Sequence, residues 1–235
     1  MNFIFDLYGT LADIKTDEGR RGFWRDIAAR LGAPRFRWRA VRREYLALCR
    51  EKKRKDEQEI DLCEVFRDML SAHGRGGYAA EVDALAQYFR ERSTEKLRLF
   101  AEVSEMLAEL RSRGCGVYLV SNAQASFTVR ELDLLGLTPA FDGIILSSDV
   151  GVKKPSVEIF EIASKRFGIK TEDSVYVGND MRDDILGATR AGIRTVYIET
   201  EQSGRYEGLT LPAPTYTVKD HRALRALLLS MAENG

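Results

Sequence analysis

The sequence predicts an α/β fold in which a parallel sheet is interrupted by an inserted block of helices. Short apolar runs recur at 2–5, 116–120, 143–146, 174–177, 195–198 and, more weakly, 215–218. Most stand before a turn-rich stretch and then a helical pattern, the βαβ rhythm of a parallel sheet. Residues 14–95 have a different texture, with no convincing strand and four helical patterns near 17–31, 36–57, 61–72 and 78–92. A helical block that follows the first strand, with the sheet resuming afterwards, describes an insert. The expected organisation is a core of residues 1–13 and 96–235 carrying a helical cap of residues 14–95.

Each element has a local reason. Helical periodicity covers 100–113, 126–135, 156–167, 183–191 and 220–232, and Gly114, Gly136, Gly168 and Gly192 stand where four of these should stop, since the position after a helix favours glycine. Within the insert, Asp61 and Glu64 predict a capping box, and 32–34 and 74–77 are glycine-containing breaks. The basic run 51–55 is flanked by Asp56, Glu57 and Glu59 and reads as a solvated helix end.

Composition bounds the function classes. The 235 residues suit one large α/β domain or a core with a small insert, and 44% apolar content is ample for a core. Lys+Arg and Asp+Glu are equal at 36 each, so no net field draws the chain toward nucleic acid or an anionic membrane. No apolar run approaches spanning length, and 1–6 carries no signal-peptide pattern. Cys49, Cys63 and Cys115 are widely separated and predict free thiols in a reducing compartment, hence a cytosolic protein.

Four places at the ends of expected strands concentrate chemistry. Asp6 closes the first apolar run, where a carboxylate is costly unless it meets a cation or donors; Gly9 permits a tight turn and Thr10 adds a hydroxyl. Ser121 and Asn122 follow the second run, and Ser121 with nearby main-chain N–H groups can cradle an anion. Lys153 and Lys154 precede Pro155, which is expected to start a helix, and either lysine can present a fixed positive charge. Asn179, Asp180, Asp183 and Asp184 crowd one loop, a density of oxygen ligands suited to Mg²⁺. The plainer readings are helix caps, a surface lysine and an acidic helix start. The shared sheet edge favours one constellation.

Taken in order, FDLYGTL at 5–11, VSNAQ at 120–124, GVKKP at 151–155 and YVGNDMRDD at 176–184 resemble the haloacid dehalogenase-like (HAD) superfamily, with the similarity spanning essentially the whole chain. The resemblance implies a Rossmann-like core with a helical cap of the C1 type. It also implies Asp6 as covalent nucleophile, Ser121 as the second-motif hydroxyl and Lys154 as the third-motif lysine. Asn179 or Asp180, with Asp6 and the carbonyl of Tyr8, would ligate Mg²⁺, and Asp184 would hold the metal shell or the lysine. The Thr10 hydroxyl and main-chain amides near Asn122 would help to bind the substrate.

Two chemistries fall under the resemblance. The family's phosphatases usually carry an acid two residues after the nucleophile, and here Tyr8 stands there, a phenol able to donate a hydrogen bond but a poor proton donor. The 2-haloacid dehalogenases do show Asp-x-Tyr-Gly-Thr, and Trp38-Arg39 resembles their cap helix, with Arg39 placed to bind a leaving halide. Their fourth motif is acid-poor, however, and Phe160 replaces their tyrosine. Several carboxylates beside a nucleophilic Asp6 would repel one another without a cation between them. The expected function is therefore a Mg²⁺-dependent phosphatase acting on a small phosphorylated metabolite through an aspartyl-phosphate. A metal-free dehalogenase attacking carbon with Asp6 is the second reading, and a binding protein without turnover the third.

Overall fold

The computed structural model describes residues 1–53 and 55–234, so Arg54 of the basic run lies outside the described residues. Six parallel strands form the main sheet: β1 (Asn2–Phe5), β4 (Gly116–Ser121), β5 (Gly143–Leu146), β6 (Ser174–Gly178), β7 (Arg194–Ile198) and β8 (Tyr216–Val218). Their order is β5-β4-β1-β6-β7-β8, which puts β1 at the centre. The chain first winds outward on one side of β1 and then crosses to the other. This reversal opens a crevice at the carboxyl ends of β4, β1 and β6, where open α/β sheets bind ligands.

Alternation along each strand divides the core into two layers. Phe3, Phe5, Val117, Leu119, Val175 and Val177 face one apolar cluster, which includes Val103, Met106 and Leu110 of α5 (Val103–Ser112) and Leu224 and Leu228 of α10 (His221–Asn234). Ile4, Val120 and Tyr176 face the other, packed on Ile159, Phe160 and Ala163 of α8 (Val157–Phe167) and Ala188 of α9 (Gly187–Arg190). The four helix-ending glycines all have positive φ. Pro155 corrects the expectation that it starts a helix: it lies between α7 (Ser147–Val150) and α8, which begins two residues later, behind Ser156. The helix expected over 183–191 opens instead as a π-helical turn, Met181–Leu186.

The insert contributes α1 (Arg21–Arg30), α2 (Trp38–Lys52), α3 (Leu62–Ala72) and α4 (Ala79–Ser93). Asp61 does cap α3, through the N–H of Cys63 rather than a reciprocal bond with Glu64. The expectation of no strand between 14 and 95 is overturned at both margins. β2 (Ala12–Thr16) and β3 (Thr94–Leu99) pair antiparallel as a two-stranded ribbon that joins the insert to the sheet. Both strands are rich in charge, and Lys15–Glu95, Lys96–Asp13 and Arg98–Asp13 tie them together. A ribbon without a continuous apolar run gives little signal in sequence. No helix among the described residues is long and apolar enough to cross a membrane.

The insert has its own apolar cluster, centred on Phe89 of α4 and including Phe23, Trp24, Tyr45 and Phe66. Phe89 packs edge-on against Phe23 at 4.9 Å and parallel to Phe127 at 6.3 Å. Phe127 belongs to α6 (Ala125–Leu134), on the sheet side of the molecule, so this cluster also fastens insert to core. Phe89→Ala should lower the unfolding free energy by about 3–5 kcal/mol, the usual range for deleting a buried phenyl ring. Urea denaturation checks this, and a loss below about 1 kcal/mol would mean that the cluster collapses around the gap.

Candidate active site

Asp6 leaves the end of β1 between the ends of β4 and β6, only 6% exposed. The register aligns Phe5 with Leu119 and Val177, which brings Ser121 and the 178–184 turn alongside. Its Oδ1 accepts from Lys154 Nζ at 2.7 Å and from Ser121 Oγ at 2.9 Å. Among the described residues its Oδ2 has a single longer contact, with Thr10 Oγ1 at 3.4 Å. Gly9 takes φ +85° here, and a Cβ at that position would lie 2.4 Å from the Asn179 side chain. The turn therefore needs glycine for both conformation and space.

Lys154 resolves the doublet. It is 2% exposed, and its ammonium donates to Asp6, to Asp184 Oδ1 at 2.6 Å and to the Tyr176 hydroxyl at 2.7 Å. Burial works against this ammonium, but the charges of Asp184 and Asp6 outweigh it and push its pKa up. Burial raises Asp184 above the usual carboxylate range, and Asp6 adds to the shift while Lys154 opposes it. Asn122 holds the lysine's main chain at both polar ends: Oδ1 accepts the Lys154 N–H at 2.8 Å, and Nδ2 donates to its carbonyl at 3.0 Å and to Asp183 at 3.2 Å.

The acidic turn is organised around Asp180. Its Oδ1 accepts the N–H groups of Arg182 and Asp183 at 2.9 and 2.7 Å, capping the π-helical turn, while Asp184 Oδ2 accepts the Asp180 N–H at 2.9 Å. Burial and the nearby Asp180 charge raise Asp183. Asn179 commits its Oδ1 to the Thr10 hydroxyl at 3.1 Å. A cleft of about 150 Å³ opens on Asp6, Ser121, Asn122, Lys154, Asn179, Asp180, Asp183 and Asp184.

Three expected site residues sit differently from their assigned roles. Thr10 is fully buried and braces Asp6 and Asn179, so it is closed to a ligand. Arg39 is exposed on α2, its guanidinium 4.5 Å above the Trp38 ring, beside Arg42 and Arg43 and away from the cleft; the crowd of arginines on α2 gave no means of separating it from its neighbours. Tyr8 lines the cleft, but its hydroxyl turns aside, donating to Glu131 and lying 2.9 Å from Thr128 Oγ1. Burial and the Glu131 charge raise its pKa, which makes it a still weaker proton donor. Glu131 is held in turn by Arg90 of α4, Nε to Oε1 at 2.6 Å. Arg90 and Glu131 carried no sequence signal, because each stands within an ordinary helical pattern. Tyr176 did carry one, as a hydroxyl in the middle of a buried strand that must find a partner.

The sequence profile of the haloacid dehalogenase-like hydrolases matches residues 1–192. Glyceraldehyde 3-phosphate phosphatase of Methanothermobacter thermautotrophicus is 39% identical over 105 residues, covering 45% of this chain and 46% of that protein. Phosphoserine phosphatase of Thermus thermophilus is 33% identical over 136 residues, covering 57% and 53%. The chain spans about half the length of the curated relatives it matches. Among solved structures, a 2-haloacid dehalogenase from Pseudomonas syringae superposes with a TM-score of 0.67 at 22% identity, covering 98% of this chain and 99% of that one. A HAD phosphatase from Thermococcus onnurineus gives 0.62 at 19%, covering 97% of each. At these identities the likeness is one of fold.

Removing the lysine should leave Asp6 and Asp184 buried with no cation. Lys154→Met in metal-free buffer is expected to cost about 3–5 kcal/mol of stability, as breaking a buried ion pair does. Adding Asp184→Asn should recover part of that loss. If chemical denaturation shows Lys154→Met as stable as wild type, the ammonium does not hold the two carboxylates together.

Proposed function

The chain belongs to the haloacid dehalogenase-like hydrolase family, and within it we propose a phosphatase that transfers the phosphoryl group of a small metabolite to Asp6 and then to water. The observation that carries this reading is the asymmetry of Asp6. One oxygen is pinned by Lys154 and Ser121, while among the described residues Oδ2 keeps only the long contact with Thr10. Oδ2 is thus the oxygen with lone pairs to offer an incoming phosphorus, and the pinned Oδ1 holds the carboxylate in orientation. The relatives named as phosphatases support the same chemistry.

The donor set fits Mg²⁺. Asp6, Asp180, Asp183 and Asp184 stand around one cleft with Lys154 as the only buried ammonium among them, and the available atoms are hard oxygens. Among the described residues no group of three or more His, Cys, Asp or Glu side chains is placed to hold a metal unaided. A cation here would take Asp6, Asp180 and the carbonyl of Tyr8 and keep several waters, as Mg²⁺ ordinarily does. Asn179 is the weaker candidate, because its amide oxygen carries no charge to set against that of the cation. When bound, Mg²⁺ would neutralise charge on the transferring group. The positive charge of Lys154 would offset the negative charge of the phosphoryl group, main-chain amides beside Asn122 would bind its remaining oxygens, and Ser121 and Asp184 would hold Asp6 and Lys154 in place.

We read residues 14–95 as a cap over this cleft, with 1–13 and 96–235 as the core. A second hollow of about 280 Å³ shares Tyr8 and Asn122 with the cleft and is walled by Ile14, Thr16, Glu18, Glu59, Leu62 and Arg90, which supports a leaving-group chamber between the two parts. With the Tyr8 hydroxyl committed to Glu131, position 8 offers the departing alcohol no proton. Substrates with acidic leaving groups should therefore react fastest. Tyr8 also favours the dehalogenase reading, in which Asp6 attacks carbon and no leaving-group proton is needed. The surplus of carboxylates around Asp6 weighs against it.

Purified protein assayed against aryl and alkyl phosphates and 2-chloropropionate, with Mg²⁺ or EDTA, separates these readings. Phosphate release is expected only with Mg²⁺, rising as leaving-group pKa falls, and Asp6→Asn should abolish it while leaving the protein folded. Chloride release in EDTA with no phosphatase activity would overturn the proposal. Tyr8→Asp should help poor leaving groups most, by up to the 10²–10⁴-fold that a positioned general acid typically supplies. A uniform effect across the series would mean that proton donation does not limit the rate.

A further inference from the structure

The segment after β7 folds back beside the site and touches it at two points, with a third contact to the β2–β3 ribbon. Thr200 donates Oγ1 to the Gly9 carbonyl at 3.0 Å, Gln202 donates Nε2 to Asp13 at 3.0 Å, and the Tyr206 hydroxyl meets the Asp180 carboxylate. That hydroxyl lies 2.6 Å from Oδ2 and 2.8 Å from Oδ1. It carries one proton, and Oδ1 already accepts two main-chain N–H groups, from Arg182 and Asp183. The shorter contact, to Oδ2, is therefore where the proton belongs. A carboxylate oxygen has two lone-pair sites, so Oδ2 with one donor keeps one site for a ligand from outside, whereas Oδ1 is filled. The main chain also makes room for this pair. A Cβ at position 204 would fall 2.6 Å from both Asp180 Oδ2 and the Tyr206 hydroxyl, so Gly204 is the residue that lets them meet.

We propose that Tyr206 is a positioning residue that fixes Asp180 Oδ2 as a metal-ligating oxygen; this rests on the Mg²⁺ reading given above. The hydroxyl is neutral and adds no charge, so its effect is orientation. The two amides anchor Oδ1 alone and leave Oδ2 free to tilt about that point. The phenol closes the remaining arc. A hydrogen bond also draws electron density from Oδ2, which acts in the opposite sense. The orientation effect is the larger, since removing a hydrogen-bond partner from a metal ligand typically weakens metal affinity by about 10–100-fold.

Calorimetric titration of the full chain with MgCl₂ tests the assignment on wild type, Tyr206→Phe, Asp180→Asn and the double variant. Tyr206→Phe should weaken Mg²⁺ binding by about 10–100-fold with an unchanged melting temperature in the absence of metal. In the Asp180→Asn background the same change should add little, because the two residues act through one contact. Tyr206→Phe binding Mg²⁺ as tightly as wild type, or more tightly, would overturn the role of Tyr206 and leave the metal reading standing. An equal loss in both backgrounds would overturn it too, by showing an action that bypasses Asp180. Wild type binding no Mg²⁺ would remove the metal reading itself, and this assignment with it.

Discussion

The Lys154 ammonium is the interaction around which the site is arranged. An ammonium at 2% exposure is costly unless its surroundings replace water, and here they do so with Asp6, Asp184 and Tyr176. Asp6 follows the end of β1, Tyr176 stands in the middle of β6 and Asp184 in the turn after it, so the sheet order and the charge arrangement require each other. Tyr176 passes the pattern on by donating to the Val120 carbonyl at 3.0 Å, and Asn122 fixes the lysine's main chain from the end of β4. The nucleophile candidate is thus oriented by the same contacts that stabilise the folded core.

Much of this was legible in the sequence because the sheet strands are buried on both faces. Such strands appear as uninterrupted apolar runs, and residues that break the run at its end stand out: Asp6, Ser121 and the Gly178–Asp184 turn. Strands whose faces are polar lack that contrast, and the β2–β3 ribbon went unseen for this reason. The doublet Lys153-Lys154 could not be separated by residue type, since only the three-dimensional arrangement distinguishes a buried ammonium from an exposed one. Tyr8 shows a further limit. Its position beside the nucleophile implied a hydroxyl in the cleft, yet the hydroxyl direction is set by Glu131 and Arg90, over a hundred and about eighty residues away in the chain. Tyr206 was invisible on the same ground, lying in a loop with no pattern of its own.

The site also combines strong pinning with an uncompensated charge. Asn122, Thr10, Ser121 and Asp184 all direct their polar groups at other site residues, which leaves few side-chain rotations free. The excess of carboxylates is concentrated around the cleft. Rigidity of this kind suits chemistry that depends on placing charge before the substrate arrives.

The contact between Arg90 and Glu131 has a consequence for motion. Arg90 lies near the end of the last helix of the insert, Glu131 lies on α6 behind the sheet edge, and Tyr8 hangs on the same carboxylate. A swing of the insert about its ribbon stem cannot leave this trio undisturbed. Either the ion pair breaks and the buried Glu131 carboxylate is left to the Tyr8 hydroxyl, or α6 travels with the insert and pulls on the loop that carries Asp6. If residues 14–95 move as a cap, the Arg90–Glu131 pair ties that motion to Tyr8, the residue next but one to Asp6.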